Sequence, residues 1–311
     1  MKIYNLYHFP CLRGSVIPWI LPSTLLVTVI ATIITILYEL TEVKLSIDGT
    51  FINVIGIVIG LLLTYRITVA SERYWEAVNH WTVMTASIRC MSRIIWIYVD
   101  ESEETEERTA DILGKKAAIK LLLAFAKSTK HQLRGEEDPV NCNDVKPLIS
   151  NFRSFISYDN NFRNVSNSGA GLSDRLFKQK NCTFDSSYKC NLNILSYLFA
   201  YLQKITKDGK ANEITISILN ENLIKINECL SNLDKFINTP KPISYSILIS
   251  QTVWIYCLLL PFQLIANSGW ATIPLVFLMV FILFSAYKTG LDIEDPFGYD
   301  FNDIDLDYIC R

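Results

Sequence analysis

The chain has 311 residues, of which 50% are hydrophobic and only 19% are charged. Because a soluble domain carries about 25% charged residues, this composition favours a membrane protein and excludes a mainly disordered chain. The formal net charge of −2 excludes a nucleic-acid-binding protein held by bulk positive charge. The 8 cysteines have neither CxxC nor zinc-site spacing, so they indicate no disulfide scaffold and no zinc centre.

Four apolar runs without charged residues predict membrane helices. A helix needs about 20 apolar residues to cross the ~30 Å hydrocarbon core of a bilayer. The first run exceeds the apolar region of about 7–15 residues found in a signal peptide. The last two runs are separated by little more than a polar turn, so they predict a helical hairpin. The runs are Ser15–Tyr38, Gly49–Tyr65, Ile243–Asn267 and Ser268–Tyr287.

The order of these runs predicts an all-α integral membrane protein with four transmembrane helices and a helical cytosolic domain. Residues 1–81 hold the N-terminal segment and two membrane helices, and residues 82–241 form the cytosolic region. A polar insertion at about 135–190, predicted to be an extended loop, interrupts that region. Residues 242–290 form the membrane hairpin, and residues 291–311 form a cytosolic tail.

The basic residues predict the orientation in the membrane. All but five of the 29 Lys and Arg residues lie between Arg66 and Lys241. By the positive-inside rule, the central segment and both termini are therefore cytoplasmic. The plasma membrane is the default location for this multi-pass chain.

The second apolar run has two faces. Its small residues Gly56, Gly60 and Thr64 recur every four positions, a spacing that lets helix backbones approach closely. One position further round lies a bulky stripe, which Asn53 extends by one turn: Ile57, Leu61 and Tyr65. The stripe is either ordinary helix packing or lipid contact, or several copies of the helix pack through the small face and enclose an apolar tube. Such a tube can gate conduction by dewetting.

Charged and aromatic residues follow this run. Arg66, Glu72, Arg73 and Glu76 fall at helical spacings beside Trp75. They predict either interfacial anchoring with surface ion pairs, or charges that hold an inner pore helix to a cytoplasmic collar.

Four motifs, in order, resemble the bestrophin family, in particular the bestrophin-like membrane proteins of bacteria and fungi. They are Arg13–Pro18, Arg66 with Ala70–Ala77, Pro242–Phe262 and Ile293–Asp307. The family-motif residues of the second and fourth are Arg66, Glu72, Arg73, Trp75, Glu76, Pro296, Phe297 and Gly298. The polar insertion does not match.

The resemblance implies a homopentameric, all-helical channel with four membrane helices per subunit and a large cytosolic domain. In the family, the second membrane helix lines the pore, and its neck is three rings of bulky apolar side chains. Alignment on Arg66 places these rings on Ile57, Leu61 and Tyr65. Family members more often have Phe where this chain has Tyr65, and a ring of hydroxyl groups makes the constriction wetter.

The C-terminal acidic string bears on calcium. In animal bestrophins the corresponding segment helps to bind calcium, which implies side-chain ligands at Asp300 and Asp303 and carbonyl ligands at Asp292 and Asp295. Calcium takes six to eight oxygen ligands. Here Phe301 and Asn302 interrupt the acidic run. We therefore favour a structural role, in which the acidic side chains cap turns, and expect no required cofactor.

Passive conduction of anions such as chloride is the function that these features favour. A cation-selective channel of the same fold is one alternative, because the neck is uncharged. A secondary transporter is another, although it needs ionisable groups at mid-membrane and usually an internal repeat. An enzyme is not expected, because His8, His80 and His131 lie far apart and no catalytic motif occurs. The expected partners are further copies of the chain, the lipid membrane and permeating anions.

Overall fold

The structure is a computed structural model and describes residues 15–41, 49–136, 144–148, 184–239, 243–300 and 302–310. All regular secondary structure in these ranges is helical, which confirms the all-α prediction. A short 3-10 turn, Gly269–Ala271, separates α6 from α7. The helices are α1 (Ile17–Thr41), α2 (Gly49–Tyr98), α3 (Thr105–Leu133), α4 (Phe184–Lys207), α5 (Glu213–Asn238), α6 (Ile243–Ser268), α7 (Thr272–Asp292) and α8 (Leu306–Ile309).

The chain divides into two compact units, and the division falls inside α2. The first unit comprises Met1–Glu76 and Pro240–Ile304, and the second comprises Ala77–Thr239 and Asp305–Arg311. Among the described residues, three stretches are long and apolar enough to cross a membrane: Ile17–Leu40, Ile52–Tyr98 and Ile243–Asp292. The chain is therefore an integral membrane protein.

The first unit is built on apolar helices that pack around a common core. The side chains of this core come from α1, α2, α6 and α7. Because lipid tails are as apolar as these side chains, the core holds the helices together through van der Waals packing. The third apolar stretch turns at Gly269, whose φ of 49° lies in the left-handed region that glycine adopts without steric cost. This turn separates α6 and α7 as the sequence predicted. The core residues are Ile20, Val27, Ala31, Ile59, Leu63, Ile249, Val253, Cys257, Leu260, Val276, Val280 and Phe284.

Helix α2 is much longer than the apolar run that begins it. The run ends at Tyr65, but the helix continues to Tyr98, 50 residues in all. No Gly or Pro occurs after Gly60 to interrupt it. In its later part, buried side chains recur at intervals of three, four or seven residues, and their packing stabilises the helix. These buried residues are Ala70, Ala77, Trp81, Met84, Met91 and Ile95.

The second unit contains α3, α4 and α5, the three longer helices of the region predicted to be cytosolic. In the sequence, apolar residues recur every three or four positions over Ile214–Ile237. This periodicity predicts a helix, and α5 matches it almost to its ends. Helix α3 carries Glu106 and Glu107 in its first turn, where the helix dipole favours negative charge. The extended loop predicted to reach residue 190 is wrong at its C-terminal end, because α4 begins at Phe184. Once a helix has formed, adding a few residues to its end costs little free energy. Polar composition alone does not reveal such an extension.

Part of the sequence interpretation falls outside the described residues. The motif segment before residue 15, Phe301 and residues 137–143 and 149–183 of the predicted insertion belong to this group.

Buried charges join the C-terminal helix to the end of α3 within the second unit. The Lys130 ammonium lies 3.0 Å from a carboxylate oxygen of Asp307 and 3.4 Å from one of Asp144. Arg134 donates to the other Asp307 oxygen at 2.8 Å. The hydrogen bonds from Lys130 and Arg134 lower the pKa of Asp307. These ion pairs hold α8 in place together with Leu306, whose side chain is fully buried.

Candidate functional site

The bulky stripe of α2 is uncovered in the single chain. Ile57 and Leu61 are each 68% exposed and Tyr65 is 59% exposed. The opposite side of the same helix is packed into the core, where Ile59 is 1% exposed. The first unit therefore uses one face of α2 for its own core and leaves a row of large apolar side chains without cover.

Asn53, one turn before the stripe, has a polar partner in the same unit. The side-chain amide of Gln263 on α6 donates to the side-chain oxygen Oδ1 of Asn53 at 2.8 Å. An amide at membrane depth is costly unless it is hydrogen-bonded, so this pair stabilises Asn53 beside the apolar row.

The three small residues of α2 do not share one role. A Cβ atom built on Gly56 would lie 2.8 Å from the hydroxyl oxygen of Tyr256, so Gly56 packs against α6 inside the subunit. Gly60 has no atom within 4 Å of such a Cβ, and the Thr64 hydroxyl donates to the Gly60 carbonyl at 2.8 Å. Gly56 thus packs against a helix of its own subunit, and packing of the small residues against neighbouring copies stays a prediction. Only Gly60 and Thr64 are left open for another helix.

Tyr65 ends the stripe and has an aromatic partner. Its ring lies edge-to-face with that of Tyr245 on α6, with centroids 6.1 Å apart and planes at 82°. Such pairs contribute about 0.5–1.5 kcal/mol beyond the area they bury. The contact therefore restrains the Tyr65 ring at the end of the stripe.

Arg66, the next residue, is turned inward and is only 2% exposed. Its guanidinium lies 3.6 Å from a carboxylate oxygen of Glu294 and 4.8 Å from the ring centroid of Tyr287. A Cβ on Gly290 would lie 3.3 Å from Arg66 Cδ, so the side chain runs directly over the α7 backbone. Arg66 thus binds the end of the membrane hairpin, and the prediction that it holds a cytoplasmic collar receives no support from these contacts.

The other residues of that motif lie on a more open surface. Trp75 is exposed and its ring meets that of Tyr74 edge-to-face at 5.7 Å. Glu72 and Glu76 are exposed and Arg73 is half-buried. These positions fit the interfacial anchoring that the sequence predicted as one of two readings.

The motif after α7 folds into a tight turn. Phe297 is 1% exposed, and the Ile304 amide donates to the Pro296 carbonyl at 3.0 Å. The Asp303 carboxylate accepts from the Asp300 amide at 2.7 Å. It also fills the space beside Gly298, where a Cβ would lie 2.8 Å from the carboxylate oxygen. The turn thus needs glycine at this position.

Asp303 therefore already has a structural partner. Burial raises the pKa of Asp303, as do the negative charges of Asp300, Asp295 and Asp292, while the amide of Asp300 lowers it. Within the described residues no group of three or more His, Cys, Asp or Glu side chains is placed to hold a metal ion. The residues present fit a capped turn better than a calcium cage.

Comparisons with known proteins are consistent with this architecture. The family model described as Bacterial/Fungal Bestrophin protein matches residues 5–311. The chain belongs to the bestrophin family. A voltage-dependent anion channel-forming protein of Nostoc sp. is 34% identical over 301 residues, which cover 96% of this chain and 86% of the relative. A protein of the same description from Synechocystis sp. is 30% identical over the same share of each chain.

Solved bestrophin structures share the fold. A tryptophan-to-alanine variant of a bacterial bestrophin homologue from Klebsiella pneumoniae superposes with a TM-score of 0.74 at 23% identity, covering 96% of this chain and 95% of that one. A leucine-to-threonine variant of the same homologue gives a TM-score of 0.70 at 23% identity, with 95% of both chains covered. The fold of this bestrophin is therefore that of a known class of membrane proteins.

The sequence did not identify the residues of α6, of α7 and of the segment after α7 that contact α2. Tyr245 and Glu294 lay inside the quoted motifs but had no assigned role, and Gln263 and Gly290 were not singled out. Gln263 carried a weak signal, because an amide within an apolar helix is costly unless it is hydrogen-bonded, but Gln251 and Asn267 of the same helix carry the same signal. Nothing in the local sequence indicates that Gly290 lies against Arg66, since the two are far apart along the chain.

Proposed function

We propose that this bestrophin is the subunit of a homo-oligomeric channel that conducts anions such as chloride, and that it is not an enzyme. The observation that carries the proposal is the uncovered row of Ile57, Leu61 and Tyr65 on a helix whose other side is packed. Copies arranged around an axis would turn this row inward and enclose a narrow apolar neck, with Asn53 at its outer end. Relatives that are 34% and 30% identical are described as voltage-dependent anion channel-forming proteins, which supports anions as the permeating species.

The neck acts as a barrier rather than a binding site. Three apolar rings one helical turn apart, about 5.4–6 Å, exclude water when the tube is narrow. The Tyr65 hydroxyl groups make its last ring wetter than a phenylalanine ring. With an uncharged neck, selectivity comes from dehydration cost and from dipoles and charges outside it.

The topology we propose has four membrane crossings, by α1, the first part of α2, α6 and α7. Both termini and the region from α3 to α5 lie on the cytoplasmic side, because nearly all basic residues fall there. The default membrane is the plasma membrane.

The proposed function is tested with purified protein in planar lipid bilayers under asymmetric potassium chloride. An anion channel gives a reversal potential near the chloride equilibrium potential. A reversal potential near that of potassium would instead identify a cation channel of the same fold, and the absence of current would contradict conduction altogether.

Assembly is predicted to be pentameric, as the family resemblance implies. The native mass of the detergent-solubilised protein, measured by light scattering or native mass spectrometry, should be about five times the 35.6 kDa of one chain. The physical reason is the α2 row, which a single chain leaves exposed. A monomer or dimer that still conducts would contradict this arrangement.

We also propose that no cofactor is required and that calcium does not activate the channel. Replacing Asp300 and Asp303 with Ala should lower stability, because Asp303 caps the turn through the Asp300 amide. The unmodified protein should carry the same current in a calcium chelator as at micromolar calcium. Current that disappears in the chelator and returns with calcium would show that the tail is a calcium site instead.

A further inference from the structure

The contacts of Arg66 point to a function for the side of α2 that faces away from the stripe. The guanidinium is buried at 2% exposure, and in the described part of the chain its Nε and both terminal nitrogens make no hydrogen bond. Its charge is compensated by the Glu294 carboxylate at 3.6 Å and by the face of the Tyr287 ring. A buried cation with so little compensation depends strongly on its carboxylate partner.

The same contacts prevent rotation of α2 about its axis. Arg66 passes so close to α7 that a Cβ on Gly290 would lie within 3.5 Å of its Cγ, Cδ and Nε atoms. Consecutive residues of an α-helix point about 100° apart, so the direction of Arg66 determines the direction of Tyr65. Any rotation of α2 about its axis that turned Tyr65 away from the neck would also pull Arg66 away from Glu294.

We infer that Arg66 is a positioning residue for the neck, and that its ion pair with Glu294 is the latch that keeps the stripe of Ile57, Leu61 and Tyr65 turned towards the pore axis. The inference rests on the proposed function, since it assigns a regulator to the proposed neck. Glu294 lies two residues after the end of α7, so a change at the hairpin end reaches the neck through this pair.

The test measures which face of α2 meets water, without using current. Leu61→Cys reports the stripe, where the smaller and more polar cysteine lets water reach this ring of the neck. Leu63→Cys reports the opposite face, where the native side chain is 5% exposed. Protein reconstituted in lipid vesicles is treated with a water-soluble, negatively charged methanethiosulfonate. The modification rate at each position is read by peptide mass spectrometry, so native cysteines do not interfere.

With the latch intact, the Leu61→Cys site should react much faster than the Leu63→Cys site. Glu294→Gln leaves the guanidinium without its charge partner, and we expect the ratio of the two rates to fall by about tenfold or more. The matched control is Asp292→Asn, which loses a carboxylate close by whose partner Lys288 lies on the same helix at 2.7 Å. The control should leave the ratio unchanged.

A second variant separates positioning from general stability. Arg66→Met with Glu294→Met removes both charges, and apolar replacement of a buried ion pair is often neutral or stabilising. If the latch positions the neck, this variant should melt no lower than the unmodified protein and still show the reduced ratio. Recovery of the ratio together with stability would overturn the inference.

The remaining outcomes distinguish this inference from the proposed function. A fast Leu61→Cys reaction that Glu294→Gln does not change overturns the latch and leaves the neck standing. Equal, slow reactions at both positions in the intact background contradict the neck itself, and the latch with it.

Discussion

Removing the three bulky side chains of the stripe is expected to open the channel. In Ile57→Ala/Leu61→Ala/Tyr65→Ala, each truncation widens the proposed neck and takes away apolar surface that repels water. A reduction of the barrier by ~1.4 kcal/mol gives about a tenfold rise in rate, and we expect at least that gain in single-channel current or open probability. The measurement is single-channel recording in planar bilayers, with the oligomer mass determined on the same preparation.

The control for this variant is Val58→Ala. Val58 is exposed on the same helix but points about 100° away from Ile57. It should leave conductance nearly unchanged, and both variants should keep the native oligomer size. An unchanged current in the triple variant, or an equal gain in the control, would mean that the stripe faces lipid or another helix.

Phe297→Ala is expected to cause the largest loss of stability. The Phe297 side chain is 1% exposed, and truncation of a fully buried Phe to Ala costs about 3–5 kcal/mol through lost burial and the cavity left behind. The apparent melting temperature of the detergent-solubilised protein should fall by several degrees. The ion pair between Arg66 and Glu294 should also weaken, because Glu294 precedes the same turn.

Tyr299→Ala is the matched control, since it removes an aromatic ring from the same turn. Tyr299 is 73% exposed, and surface substitutions of this kind usually change stability by less than about 0.5 kcal/mol. Equal destabilisation by the two variants would show that Tyr299 is covered in the assembled protein. A Phe297→Ala protein of unchanged stability would show that the buried Phe297 ring does not stabilise the turn after α7.

Several features of the fold followed from local patterns. Uncharged runs long enough to cross a bilayer predicted α1, α6 and α7, and the three-to-four-residue periodicity of Ile214–Ile237 predicted α5. The polar turn before Trp270 predicted the hairpin, and the left-handed backbone at Gly269 is its physical basis. These features depend on residues close together in the chain.

The stripe on α2 illustrates the limit of such patterns. Spacing by four residues identified Ile57, Leu61 and Tyr65 as one face, but it could not distinguish a face in contact with the core from one left open. Exposure of this face follows from where α6 and α7 pack, which is on the side of Ile59 and Leu63. The same packing places Tyr256 against Gly56 and leaves Gly60 free.

What the sequence determined by itself was therefore composition, helix periodicity and motif order, which together indicated an all-helical bestrophin-like membrane protein with a candidate neck. Only the tertiary structure decided what each face of α2 contacts. The pairing of Arg66 with Glu294 joins residues that are remote along the chain, and their approach depends on Gly290 admitting a side chain against the α7 backbone. Local propensities act over a few residues, whereas a buried ion pair forms only after whole helices have packed and excluded water.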